Sequence, residues 1–226
     1  MAPMQHIDAD LISHSLPDRI TYLQSFLSFS PDSDGPLIHA CKPVLAPLLP
    51  TIIDAVYDQL LQFDITASAF SFSQSSSQSD VRTEDLHRDH EHITHRKDFL
   101  KGYLLRLASN TDWRPSSKFW SYIDMVGKAH TGTLSPTLPS RTGKPALWVE
   151  YRDVNLLLGW VENAVIDIVM GVESLDIETR VKIVKALNKY WWIQNDLFAR
   201  HYIVDGERPG RMGEESNGEA TMNGHI

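Results

Sequence analysis

The sequence predicts an all-α protein, on three observations. Apolar residues recur at alternating spacings of three and four, the period of one helical face, along most of the 226 residues. No segment shows the strict alternation of a half-buried strand. Turn-forming clusters rich in Pro, Gly and Ser separate the apolar stripes.

The elements follow in order. A short opening segment ends at the turn cluster Ser30 to Pro36. The first long stripe is Leu37, Ala40, Cys41, Val44, Leu45, Leu48, Leu49, Ile52, Ile53, Val56, Tyr57, Leu60 and Leu61. Pro43, Pro47 and Pro50 interrupt it; each removes a helical donor and crowds the preceding turn, so two helices or one kinked helix are expected. Ser71 to Ser79 is low-complexity and polar, a flexible loop by composition. Ile93, Leu100, Tyr103, Leu104 and Leu107 form a second stripe. Phe119, Tyr122, Ile123, Val126 and His130 form a third, with Pro115 expected in its first turn. Thr131 to Pro145, with three prolines and two glycines, is a long connection. A fourth stripe runs from Val154 to Val172 and closes near Gly171. The last runs from Ile177 to Phe198, with Asp176 as candidate N-cap. Beyond Asp205 apolar residues almost vanish, which predicts a domain over 1–204 and a disordered tail over 205–226.

Composition narrows the function. With 21 basic against 29 acidic residues the net charge is −8, which argues against nucleic acid as a partner. No run of about 18 uninterrupted apolar residues suggests a bilayer span, and the first residues lack the pattern of a signal peptide. A single cysteine, Cys41, excludes an intramolecular disulfide. The expectation is a soluble cytoplasmic protein without a membrane partner.

Phosphate loops, nucleophile elbows, zinc helices and paired cysteines are all missing from the sequence. Three features remain. His130 continues the apolar stripe of its helix beside the small residues Gly127 and Ala129, so its imidazole is either a core histidine bonded to a backbone carbonyl or a ligand to a metal held in the interior. Tyr57 lies on an otherwise aliphatic face; its hydroxyl needs a partner, either another helix or a small polar ligand. His87, Glu91 and His95 would share one face if the histidine run 87–95 were helical, a possible metal arrangement set among solvated charges.

Three motifs carry a family resemblance. Val126-Gly127-Lys128-Ala129-His130, preceded by Phe119 and Tyr122, resembles the haem-ligating segment of the protoglobins and the globin domains of globin-coupled sensors. Pro43-Val44-Leu45, then Ile52 to Leu61 with Tyr57, and finally Phe70, resemble that family's first two globin helices with their distal tyrosine. Tyr151-Arg152 resembles the start of its helix G. The resemblance spans roughly Leu16 to Tyr202. It implies a globin-like fold with an extra N-terminal helix, its helices packed around a pocket for haem b. It implies His130 as proximal iron ligand and Tyr57 as hydrogen-bond donor to dioxygen, or to CO or NO. The lining it implies comprises Phe70, Leu100, Tyr103, Tyr122, Val126 and Tyr151. Two departures stand out. Val56 replaces a bulky aromatic often found before the distal tyrosine. The gap in the serine-rich loop leaves either Arg96 with Leu100 or Phe99 with Tyr103 over the haem, of which Leu100 is favoured, and Arg96 or His95 falls near the pocket mouth.

The leading expectation is a haem protein that binds a diatomic gas, as sensor or stand-alone globin. A haem-free interaction module and a haem enzyme acting on peroxide or nitric oxide are the alternatives. Adjacent Trp191 and Trp192 face different sides of the last helix, and with the resemblance they suggest a homodimer through the last two long helices.

Overall fold

The computed structural model describes residues 3–72, 79–132 and 148–203. Among the described residues ten α-helices order the chain: α1 (Ala9–His14), α2 (Leu16–Leu27), α3 (Asp34–Ala40), α4 (Lys42–Leu45), α5 (Leu49–Leu61), α6 (Asp64–Ala67), α7 (Glu91–Ser109), α8 (Lys118–Ala129), α9 (Tyr151–Met170) and α10 (Ile177–Ala199). Among the described residues the only β-type pairing is an isolated bridge between Thr131 and Trp148. The fold is all-α, and α2 already contributes Ile20 to the core formed with the later helices. The serine-rich residues 73–78, most of the connection after Gly132 and the expected C-terminal tail lie outside the described residues.

Local chemistry sets the helix ends. Asp8, Ser15, Ser117 and Asp176 each turn a side-chain oxygen onto backbone N–H groups of the following turn, satisfying donors that the first turn leaves orphaned. The three prolines break the first long stripe as expected: α3, α4 and α5 are separated at Cys41 and by a 3₁₀ turn over Ala46–Leu48, with Pro43, Pro47 and Pro50 each near the start of a new segment. Pro115 differs from its expectation. Ser117 takes the cap position, so the proline stays in the turn before α8.

By length and hydropathy alone, Asp34–Leu61 is apolar enough to cross a bilayer. In this structure it is broken into the three short helices, and it delivers Ile38 and Cys41 to one apolar core and Leu49, Ile53, Val56 and Tyr57 to another. The Cys41 thiol is buried, and burial pushes its pKa up to about 11, which keeps it protonated.

The long α10 organises the larger core. It packs on α9, α8, α3 and α2 and buries Ile183, Leu187, Tyr190, Ile193, Leu197 and Phe198 among other side chains. Two ion pairs tie the N-terminal helices to it. Arg19 of α2 forks onto the Asp196 carboxylate, with Nη2 at 2.9 Å, and Lys189 reaches Asp34 at 3.0 Å and the Ser28 carbonyl at 2.7 Å. Gly35 permits a close approach: a Cβ there would overlap the Trp113 indole, which is itself sealed among Phe29, Phe119 and Trp120.

The second, smaller core joins Leu49, Ile53, Val56, Tyr57 and Ile93. Helices α7 and α9 belong to both cores: α7 sends Leu100 and Leu104 to the smaller one and Tyr103 and Leu107 to the larger, while Val161 of α9 touches each. The candidate residues lie along this divide.

Candidate functional site

The structure sorts the candidate residues onto two sides. Tyr57, Phe70 and Leu100 pack in the smaller core; Tyr103, Tyr122 and Val126 pack against the larger one. His130 joins the latter side through Phe198, whose ring centroid is 5.8 Å from the imidazole. Between the two sets the apolar side chains are only half-buried. The inner stripe of α7 at Leu100, Tyr103, Leu104 and Leu107 shows this, as do Tyr122 and Val126 of α8 and Leu157 and Val161 of α9. A 19-residue helix whose middle buries no side chain completely, with an apolar face turned to its neighbours, finds among the described residues no partner that would finish its burial. A flat apolar ligand between the two cores would supply that partner.

His130 is the C-cap of α8. Its Nδ1 lies 2.8 Å from the Val126 carbonyl, one turn back. A carbonyl only accepts, so Nδ1 carries the proton and donates, and Nε2 becomes the lone-pair nitrogen. A backbone bond that fixes tautomer and ring orientation is the support a metal-ligating histidine uses. The backbone around it is stapled as well. The His130 carbonyl accepts the Val149 N–H at 2.9 Å, and Gly132, at φ 70°, turns the chain out of the helix where a side chain would be strained. The space beside Gly127 does not serve a ligand. Helix α10 fills it, because a Cβ on Gly127 would lie 2.8 Å from the Phe198 ring and 3.0 Å from its Cα. The small residue brings α8 against α10 and so places the histidine.

Tyr57 is 6% exposed, and its hydroxyl has no hydrogen-bond partner among the described residues. Burial pushes the phenol pKa well above its usual value, and the nearby Arg96 charge partly offsets this. Its ring rests on Phe70, 5.8 Å between centroids. Phe70 in turn is held by α7: His92 Nδ1 donates to its carbonyl at 3.0 Å, and the Arg96 guanidinium lies 5.1 Å from its ring centre.

Tyr103 is committed inside the protein. Its hydroxyl donates to Gln194 Oε1 and lies 3.1 Å from the Tyr190 hydroxyl, so this phenol contributes its ring, not a donor, to the divide. Tyr122 carries the Arg106 guanidinium 4.2 Å above its ring. Tyr151, at the start of α9, donates to Asn195 Oδ1 at 3.0 Å and stacks against Tyr202; it steadies the approach to α9. Of the two alignments left open for α7, Phe99 is 54% exposed against His95 and faces away from both cores, whereas Leu100 faces inward and Arg96 is half-buried on the Tyr57 side. His95 is exposed, and Arg96 bonds to the carbonyls of Phe70, His92 and Phe72.

The histidine run departs from the expected metal face. Helix α7 begins at Glu91 with His90 as its cap, so His87 precedes the helix and never lines up with Glu91 and His95. His87, His90 and His92 instead meet edge to face. Among the described residues no group of three or more His, Cys, Asp or Glu side chains is arranged to hold a metal ion. His92, by contrast, is fully buried. It had a sequence signal: counting back from Leu100 in fours places Arg96 and His92 on the same inward face.

Comparison with known proteins bears on the fold and the family. The chain resembles the globin domain of the Geobacter sulfurreducens globin-coupled sensor with a TM-score of 0.55 at 20% identity, over 80% of this chain and 96% of that one, a likeness of fold. No curated protein matches by sequence. The family model for protoglobins matches residues 16–208, and on that match the chain belongs to the protoglobin family.

Proposed function

We propose that the protein is a haem globin that reversibly binds dioxygen or another diatomic gas, with haem b between the two cores, His130 as the iron ligand and Tyr57 as the donor to the gas. The observation that supports this reading is the Nδ1 bond from His130 to the Val126 carbonyl, the orientation in which Nε2 of the neutral ring would serve as the iron ligand. The half-buried apolar stripes of α7, α8 and α9 suit the faces of a porphyrin. Haem, when bound, would supply the iron position at which a diatomic gas is held. Tyr57, only 6% exposed, would then offer its hydroxyl away from bulk water, where a hydrogen bond to a ligand drawing negative charge is stronger. Leu100 and Phe70 keep that side apolar, and Val56 leaves it less crowded than an aromatic would.

An absorption spectrum of the purified protein with haemin should show a sharp Soret band. Tyr57→Phe is expected to speed dioxygen dissociation about tenfold or more, the worth of a charge-assisted hydrogen bond, while carbon monoxide, which draws less charge, leaves at nearly its original rate. Equal dioxygen rates for the two proteins would remove Tyr57 from this role.

The reading extends to a homodimer through α9 and α10. Trp191 is buried while Trp192 is 54% exposed, on one α10 stripe with the exposed Ile177 and Val181; Leu156 is exposed on α9. Sedimentation should give a dimer mass for the wild type and a monomer mass for Trp192→Glu. A wild-type monomer at micromolar concentration contradicts the dimer.

A further inference from the structure

The face of α7 beyond Leu100 does more than cover a ligand. One turn and two turns before Leu100, Arg96 and His92 project toward the segment that follows α6. His92 Nδ1 donates to the Phe70 carbonyl at 3.0 Å. Arg96 Nη1 donates to the His92 carbonyl at 2.8 Å and approaches the Phe70 carbonyl at 3.4 Å, while Nη2 reaches the Phe72 carbonyl at 3.3 Å. The guanidinium plane also covers the Phe70 ring. Residues 70–72 are thereby fastened to α7 by two side chains, and the Phe70 ring is fastened against Tyr57.

The arrangement is specific in its chemistry. A planar guanidinium offers several donors in a fixed fork and stacks on an aromatic face, which an ammonium or an amide cannot do together. His92 is buried completely, and its Nε2 has no hydrogen-bond partner among the described residues. Burying an imidazole at that cost is hard to explain by packing alone, since an apolar side chain would fill the site without an unsatisfied atom. What the imidazole supplies is the bond to Phe70. The Arg96 charge stabilises negative charge on the Tyr57 oxygen and so partly offsets the effect of burial, leaving the O–H a better donor than it would be without that guanidinium.

We propose that Arg96 and His92 are positioning residues for Tyr57, which pin Phe70 against its ring and so set the hydroxyl to favour a diatomic ligand that draws negative charge. This rests on the haem-globin reading above.

The test compares Arg96→Gln and His92→Leu in the full-length chain, each alone and combined with Tyr57→Phe. With haem bound, each single variant should speed dioxygen dissociation about three- to tenfold and shift carbon monoxide dissociation by less than about twofold. In the Tyr57→Phe background either change should alter the dioxygen rate by less than about twofold, because the group they position is gone. In the haem-free chain, hydrogen exchange over 68–72 should lose protection in both variants while α10 keeps its own. Acceleration of equal size in the Tyr57→Phe background, or unchanged dioxygen rates beside lost protection, would overturn the proposal. If the wild-type chain takes up no haem, the functional reading fails by itself. Unchanged protection over 68–72 in the haem-free variants would then overturn the pinning independently.

Discussion

Replacing His130 by alanine is expected to remove the Soret band and weaken haem binding by at least about a hundredfold, since even the loss of a residue that only orients a metal ligand costs about ten- to a hundredfold. The change should leave the fold in place. The imidazole is half-buried and packs against Phe198 at the edge of the core, and its Nδ1 bond is to its own helix, a contact worth about 1 kcal/mol. Far-UV circular dichroism of the variant should therefore match the wild type while haem titration fails. Added imidazole should restore part of the spectrum in His130→Gly, because the cavity left by the side chain admits the missing ligand. A protein that never needed haem would behave otherwise: both variants would lose a little stability and no spectrum would change. Retention of a full-strength Soret band in His130→Ala would assign the iron to another residue.

The parts of this site that periodicity exposes are those that depend on one helix at a time. The stripe through Tyr122, Val126 and His130 needs only a period of 3.6, and it points to the same interior side that the structure shows. The breaks at Pro43, Pro47 and Pro50 follow from the missing N–H of each proline, a local property. Pro115 shows a local conflict, in which the hydroxyl of Ser117 competes for the same helix start and wins the cap. The histidine run was misleading for a different reason. Arg88, Asp89, Arg96, Lys97 and Asp98 around it suggest a solvated face, yet His92 and Arg96 lie on the inward period and find carbonyls to bond, which lets polar side chains enter the interior. Gly127 was legible as a small residue but not as the crossing point of two helices. Which helix crosses where depends on contacts between residues some 70 positions apart, and no single-helix pattern carries that information.

That crossing gives the second large effect. Gly127→Val should lower stability by about 2 kcal/mol or more, because an added side chain meets the Phe198 Cα at 3.0 Å and the Leu197 carbonyl at 3.1 Å, both backbone atoms that no rotamer change can move. For a domain of this size the midpoint of thermal unfolding should fall by about 4–8 °C. The site should feel it too. Helix α8 can relieve the overlap only by moving off α10, and His130 sits three residues beyond the crossing, at the end of the same helix. Haem affinity measured well below the unfolding midpoint should then fall about tenfold or more, in proportion to a misplaced ligand rather than to lost fold. Gly102→Ala is the matched control. Its Cβ would meet nothing within 4 Å, so it should gain up to about 1 kcal/mol from helix propensity and leave haem affinity unchanged. If Gly127→Val lost stability but bound haem as tightly as the wild type, the α8–α10 contact would support the fold alone, and the position of His130 would have to come from its backbone staple to Val149 instead.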